Sequence, residues 1–150
     1  MIDPLLLSDI AFAFEDRMSN WYIHKSTLEI ICLPEDEEND TTEIFEDREM
    51  IDQHPDDYLL IERLEPHVMF NLMEEFTEEL NKPGLQEQLR IVLSGKKPFA
   101  NFRNALNYHP DYLREWYAFK DGFLNREAVR WLKENELYEK AMNKKEEELE

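Results

Sequence analysis

Apolar positions recur along this chain with two different periods, and the places where the period changes mark the elements. Over residues 5–18, Leu6, Ile10, Ala13 and then Phe14 or Arg17 fall three and four apart, which predicts an amphipathic helix with Pro4 in its first turn. Trp21, Tyr22 and Ile23, then Leu28, Ile30, Ile31, Cys32 and Leu33, are β-favouring runs around Lys25, Ser26 and Thr27 and predict a hairpin. The turn has no Asn-Gly pair, so its geometry stays open. Tyr58 to Ile61 reads as a third strand, because an isolated hairpin is marginal in water. Pro66 opens a helix with Val68, Leu72, Met73, Phe76 and Leu80 on its inner side, and Leu85, Leu89, Val92 and Leu93 mark the next, stopped by Gly95.

Residues 94–135 hold the densest aromatics of the chain. Phe99, Phe102 and Leu106 share one face of a short helix, and the two phenylalanines are expected to pack on Trp116 and Phe119. From Pro110 onward, Tyr112, Trp116, Phe119 and Phe123 are spaced four, three and four, with Leu124, Ala128, Trp131 and Leu132 continuing an adjoining stripe. Gly122 interrupts that run at a cost of about 1 kcal/mol relative to alanine, so a break there is left open. The pattern predicts an α+β fold: a small antiparallel sheet, hairpin plus third strand, packed with four to five helices, the C-terminal half mainly helical. A single domain over residues 1–135 is expected, with an acidic loop at 34–55, where Ile44, Phe45, Met50 and Ile51 could dock a short helix while the rest stays solvated, and a charged tail at 136–150.

Charge changes this picture more than composition does. The formal net charge is -18, yet residues 1–80 carry 23 acidic and 4 basic residues, whereas residues 81–150 carry 12 and 13. The two halves are electrostatically different, which bears on partners and not on fold. The single cysteine, Cys32, excludes an intramolecular disulfide, fits a reducing compartment and is expected to be a small buried hydrophobe of its strand. The opening apolar run carries Asp3 and Asp9 in place of the basic residues of a signal peptide, and no stretch reaches membrane-spanning length. A cytoplasmic location without membrane association is expected.

Candidate chemistry is sparse. Asp36, Glu38 and Asp40 alternate like calcium ligands and Asp47 falls at the twelfth position, but Thr41 stands where the loop needs glycine. His24, His54, His67 and His109 are too widely spaced for a transition-metal motif. No nucleophile elbow, glycine-rich phosphate loop or CxxC pair occurs, so no catalytic residue, metal ligand or cofactor is assigned. Lys96, Lys97, Arg103, Arg114, Arg126 and Arg130 lie among aromatics, a pattern suited to phosphates and stacked bases, within a basic, aromatic-rich segment at 82–133.

Three stretches together, Gly95 to Leu106 as G-K-x-P-F-x-x-F-x-x-A-L, Arg114 to Phe119 as R-E-W-Y-A-F and Ala128 to Leu132 as A-V-R-W-L, resemble the bacterial uncharacterised protein family 0158. Met73 and Phe76 are similar to that family's M-x-x-F element, and the resemblance spans about residues 9 to 135. It implies that Phe76, Gly95, Phe99, Phe102, Leu106, Trp116, Phe119, Trp131 and Leu132 are motif or core positions. It supplies no activity. The residues themselves favour a non-enzymatic interaction or regulatory protein whose acidic N-terminal half meets a basic protein partner. RNA or single-stranded DNA binding by the 82–133 segment is the alternative, and a hydrolase or other enzyme of unknown type the second.

Overall fold

The computed structural model describes the backbone of residues 1–149 and the side chains of residues 1–144. The chain divides into two compact units, one of residues 1–63 with residues from Leu124 onward, the other of Leu64–Phe123. The fold class is α+β, as the hydrophobic pattern predicts.

In the first unit, α1 (Pro4–Glu15) starts where the Asp3 side chain accepts the Leu5 N–H at 3.0 Å and Pro4 takes the first helical position. Strands β1 (Ser19–His24), β2 (Ile30–Pro34) and β3 (Tyr58–Ile61) form an antiparallel sheet in the order β2-β1-β3. In register, Trp21 stands opposite Cys32 and Ile61, and Tyr22 opposite Ile31 and Leu60. Phe12 of α1 meets the Trp21 ring edge-on at 5.5 Å on one face. On the other, Ile31 and Leu33 pack with Ile51, flanked by Tyr22, Ile44 and Tyr58. Cys32 points to the face opposite Ile31 and Leu33, the face of Trp21 and Ile61, but it stands on the edge strand β2 and is exposed, not buried as expected. The hairpin turn is closed by the His24 ring, whose Nδ1 accepts the Ser26 and Thr27 N–H groups, and by Leu28 in the left-handed region at φ 63°.

The acidic connection is not loop throughout. A 3-10 turn at Glu37–Asn39 leads to α2 (Thr42–Gln53), which the Thr41 hydroxyl caps by accepting the Ile44 N–H. Nor is the tail simply solvated. α6 (Pro110–Glu134) ends in a Schellman motif: Leu137 N–H donates to Leu132 O at 2.8 Å and Glu136 N–H to Lys133 O, with Glu136 at φ 60°. Leu137 and Leu132, the pair that such a motif brings together, are both buried. The turn feeds α7 (Tyr138–Leu149), where Ala141 is buried and Lys140 Nζ donates to Lys25 O at 2.8 Å. These two helices raise the number above the four or five expected.

The second unit contains α3 (Pro66–Glu78), α4 (Pro83–Leu93), α5 (Pro98–Asn107) and the part of α6 up to Phe123. Each of these helices begins with proline, whose fixed φ suits a first turn and whose missing N–H costs nothing there. Leu72, Met73, Phe76, Leu85, Leu89, Leu93, Phe102 and Trp116 form the core. Its centre is aromatic: Phe102 and Trp116 meet edge-on at 5.1 Å, and Phe76 touches Phe102, Trp116 and Phe119. Thr77, the buried polar residue here, donates to Met73 O at 2.8 Å. α6 runs unbroken through Gly122.

Candidate functional site

Most motif positions are structural. Phe76, Phe102, Leu106, Trp116 and Leu132 are buried, and Phe119 and Trp131 half-buried. Gly95 follows the last turn of α4, its N–H donating to Val92 O at 3.1 Å; its φ is not positive, and an added Cβ would meet only ordinary contacts. Phe99 is the exception: at 44% exposure it lies outside the core it was expected to join. On α5 the buried residues are Phe102, Ala105 and Leu106, and Phe99 falls at the edge of that arc, one turn before the outward-facing Arg103.

The six predicted cations are divided between the two units. Lys96, Lys97, Arg103 and Arg114 belong to the second unit, Arg126 and Arg130 to the first. Arg114 is paired with Asp111, and Arg130 with Glu127 at 3.8 Å and Glu134 at 3.0 Å. Lys96, Lys97, Arg103 and Arg126 are exposed and have no ion-pair partner among the described residues. Burial of Trp116 removes it as a stacking platform, leaving Phe99, Tyr108 and Tyr117 as the exposed rings of this segment.

The acidic segment is built on one anchor. Arg48 donates through Nε to Asp40 Oδ2 at 2.5 Å and through an Nη to Asp40 Oδ1 at 3.2 Å and to the Pro34 carbonyl. The hydrogen-bonded Asp40 carboxylate raises the guanidinium's pKa above its usual value and keeps it charged. Asp36 turns its oxygens to the Glu38 N–H and the Asn39 amide. Two carboxylates of the calcium-like spacing are thus occupied by the chain's own donors, and among the described residues no three His, Cys, Asp or Glu side chains gather in a metal-holding group. Ile44, Arg48 and Ile51, spaced four and three, form the inner side of α2. Phe45 and Met50 were expected to help dock the segment, yet they are 54% and 48% exposed because they lie off that line. A shallow groove of about 600 Å³ runs beside Phe45, lined also by Glu37, Asp40, Arg48, Glu49 and Asp52. Its mixture of carboxylates with an exposed aromatic ring could have been found by laying the helical period over residues 42–53.

The family model described as "Uncharacterised protein family (UPF0158)" matches residues 2–150. This chain belongs to that family. The match extends the likeness beyond the residues 9–135 that the motifs carry and takes in α7. A relative from Pseudomonas aeruginosa, named UPF0158 protein PA5073, is 30% identical over 88 residues, which is 59% of this chain and 58% of the relative. No solved structure matches. UPF0158 carries no assigned activity in its description. Among the described residues no helix is long and apolar enough to cross a membrane.

Proposed function

We propose that this protein is a non-enzymatic binding protein that takes a basic, partly apolar segment of a partner protein on the acidic face of α2. One observation carries the reading: α2 leaves Phe45 and Met50 exposed among Glu43, Glu46, Glu49 and Asp52. Water around a ring and a thioether is unfavourable, and a partner that covers them gains about 25 cal/mol per Å² of apolar surface buried. Carboxylates around such a spot select lysine and arginine and raise the encounter rate with a cationic partner. Arginine suits it best, since a guanidinium stacks on an aromatic face while its N–H groups pair with a carboxylate.

Titration of the full chain with a labelled arginine- and leucine-containing peptide tests this, with an acidic peptide as control. Saturable binding that weakens with salt, and weakens further in Phe45→Ala and in Glu49→Lys/Asp52→Lys, supports the reading. Equal binding by wild type and these variants, or no binding at low salt, removes it.

A further inference from the structure

We infer that the outward face of α5, together with the loop that precedes it, is a binding site for single-stranded nucleic acid, separate from the acidic face of α2. The first observation is the distribution of charge. No Asp or Glu occurs between Glu87 and Asp111, 23 consecutive residues in a chain with 35 acidic residues in 150, where even spacing would place about five. The same stretch carries Arg90, Lys96, Lys97 and Arg103. Arg90 is held by Glu78 and Glu87, while the other three have no carboxylate partner among the described residues.

The second observation is independent of charge. Phe99 is 44% exposed and Tyr108 84% exposed, at the two ends of the same helix. Phe99, Arg103 and Asn107 follow one another at four-residue intervals, and Asn104 lies beside that line, all of the last three exposed. The loop is held in place: the Asn101 amide donates to Lys96 O at 2.8 Å, and Lys97 adopts a left-handed conformation at φ 49°.

Each part has a counterpart in an unpaired strand. Lys96, Lys97 and Arg103 meet phosphates, the Phe99 ring stacks on a base face, and the Asn104 and Asn107 amides can both donate to and accept from base edges. A duplex hides its base faces and would leave Phe99 unused. An acidic polypeptide would satisfy the cations and leave the ring and amides without a role. The chain's overall charge of -18 opposes any polyanion at long range. At about 0.1 M salt, however, the Debye length is roughly 10 Å, so distant carboxylates are screened while contacting ions are not.

The test is fluorescence anisotropy of labelled oligouridylate against the full chain at about 0.1 M salt, with polyglutamate as competitor. The expected result is saturable binding, weakened about tenfold in Phe99→Ala by the loss of one stacked base. Phe99→Tyr, which keeps a ring, binds like wild type. In Lys96→Gln/Lys97→Gln/Arg103→Gln the slope of log K against log salt, about -2 for three phosphate contacts to a single strand, falls to near zero. Phe99→Tyr and the charge variant keep the test decisive if Phe99→Ala does not fold. No saturable binding, binding indifferent to Phe99, or polyglutamate competing as well as unlabelled oligouridylate would each overturn the inference, the last in favour of an acidic protein partner.

Discussion

Replacing Arg48 by alanine tests what holds the acidic segment in place. Arg48 is the only lysine or arginine between Lys25 and Arg63, in a stretch dense with carboxylates. Its side chain is 18% exposed and that of Asp40 10%, so the pair is largely removed from water. Truncation leaves Asp40 without its two donors and the Pro34 carbonyl without one, beside Glu37, whose carboxylate lies 3.8 Å from the guanidinium. Breaking a buried pair costs about 3–5 kcal/mol. Because some water reaches this one, the lower end applies, about 3 kcal/mol. Amide hydrogen exchange is the suitable assay, since it reads α2 locally whether or not the two units unfold together. Exchange at Ile51 and its neighbours should quicken on the order of a hundredfold, the kinetic equivalent of that energy, while amides of α4 keep their protection. Arg48→Lys retains the charge and loses the two-pronged geometry, so it should recover about half of the lost free energy. A double-mutant cycle with Asp40→Asn should return a coupling above about 1 kcal/mol. Unchanged exchange in Arg48→Ala would refute the argument, for it would mean that Ile44 and Ile51 alone dock the helix.

Glu136→Gly should stabilise the protein by about 1 kcal/mol, seen as a higher urea midpoint, because glycine adopts the left-handed C′ conformation of the α6 Schellman motif without strain. The Asp16 carboxyl is held below its ordinary pKa, first by the Trp21 indole N–H at 2.9 Å and next by the Met18 N–H. Its contribution is therefore present above the unfolded value of about 4 and lost as pH falls through the lower folded value. The thermal midpoint of wild type should fall more steeply than that of Asp16→Asn in this acid range. Neutralising Glu46, Glu49 and Asp52 to Gln, Gln and Asn should raise the thermal midpoint at low salt while weakening a basic peptide, and a lowered midpoint would show that these carboxylates are structural.

Much of the fold was legible because burial and period agree. Ile10, Ala13 and Phe14 in α1, the β1–β2 pairing, the third strand and the Phe76, Phe102 and Trp116 core all follow from spacing. Cys32 and Phe99 were misread for a shared reason: an apolar type was taken as evidence of burial at a margin of the packing, the edge strand for Cys32 and the edge of the buried arc of α5 for Phe99. α2 was legible as a short helix, but not which side docks it, since the inner side is only Ile44 and Ile51 with an arginine between them. Sequence could not show that this arginine reaches Asp40 and the Pro34 carbonyl. α7 depends on a Schellman turn with glutamate where glycine is usual, so its start carried no stop-and-restart signal. The six cations share a segment of sequence, but α6 belongs to both units, so that segment is divided between them.

The acidic surplus needs a cause outside folding. Arg48 and Arg63 are the only lysines or arginines between Lys25 and Lys82, and each is occupied in building the first unit. Arg63 donates to the Asp16 and Ser19 carbonyls at 2.7 and 2.8 Å and to Glu35, joining the end of β3 to the α1–β1 corner. The carboxylates that these two arginines engage have a structural task; Glu43, Glu46, Glu49 and Asp52 on α2 appear in no such contact and repel one another across a solvated face. Unrelieved repulsion lowers stability, and an exposed phenylalanine and methionine beside it lower solubility. Both costs would vanish together under the proposed cover of a cationic, partly apolar segment. The α5 face poses the complementary problem, cations unpaired among the described residues next to an exposed ring, and the partner proposed for it is of the opposite charge.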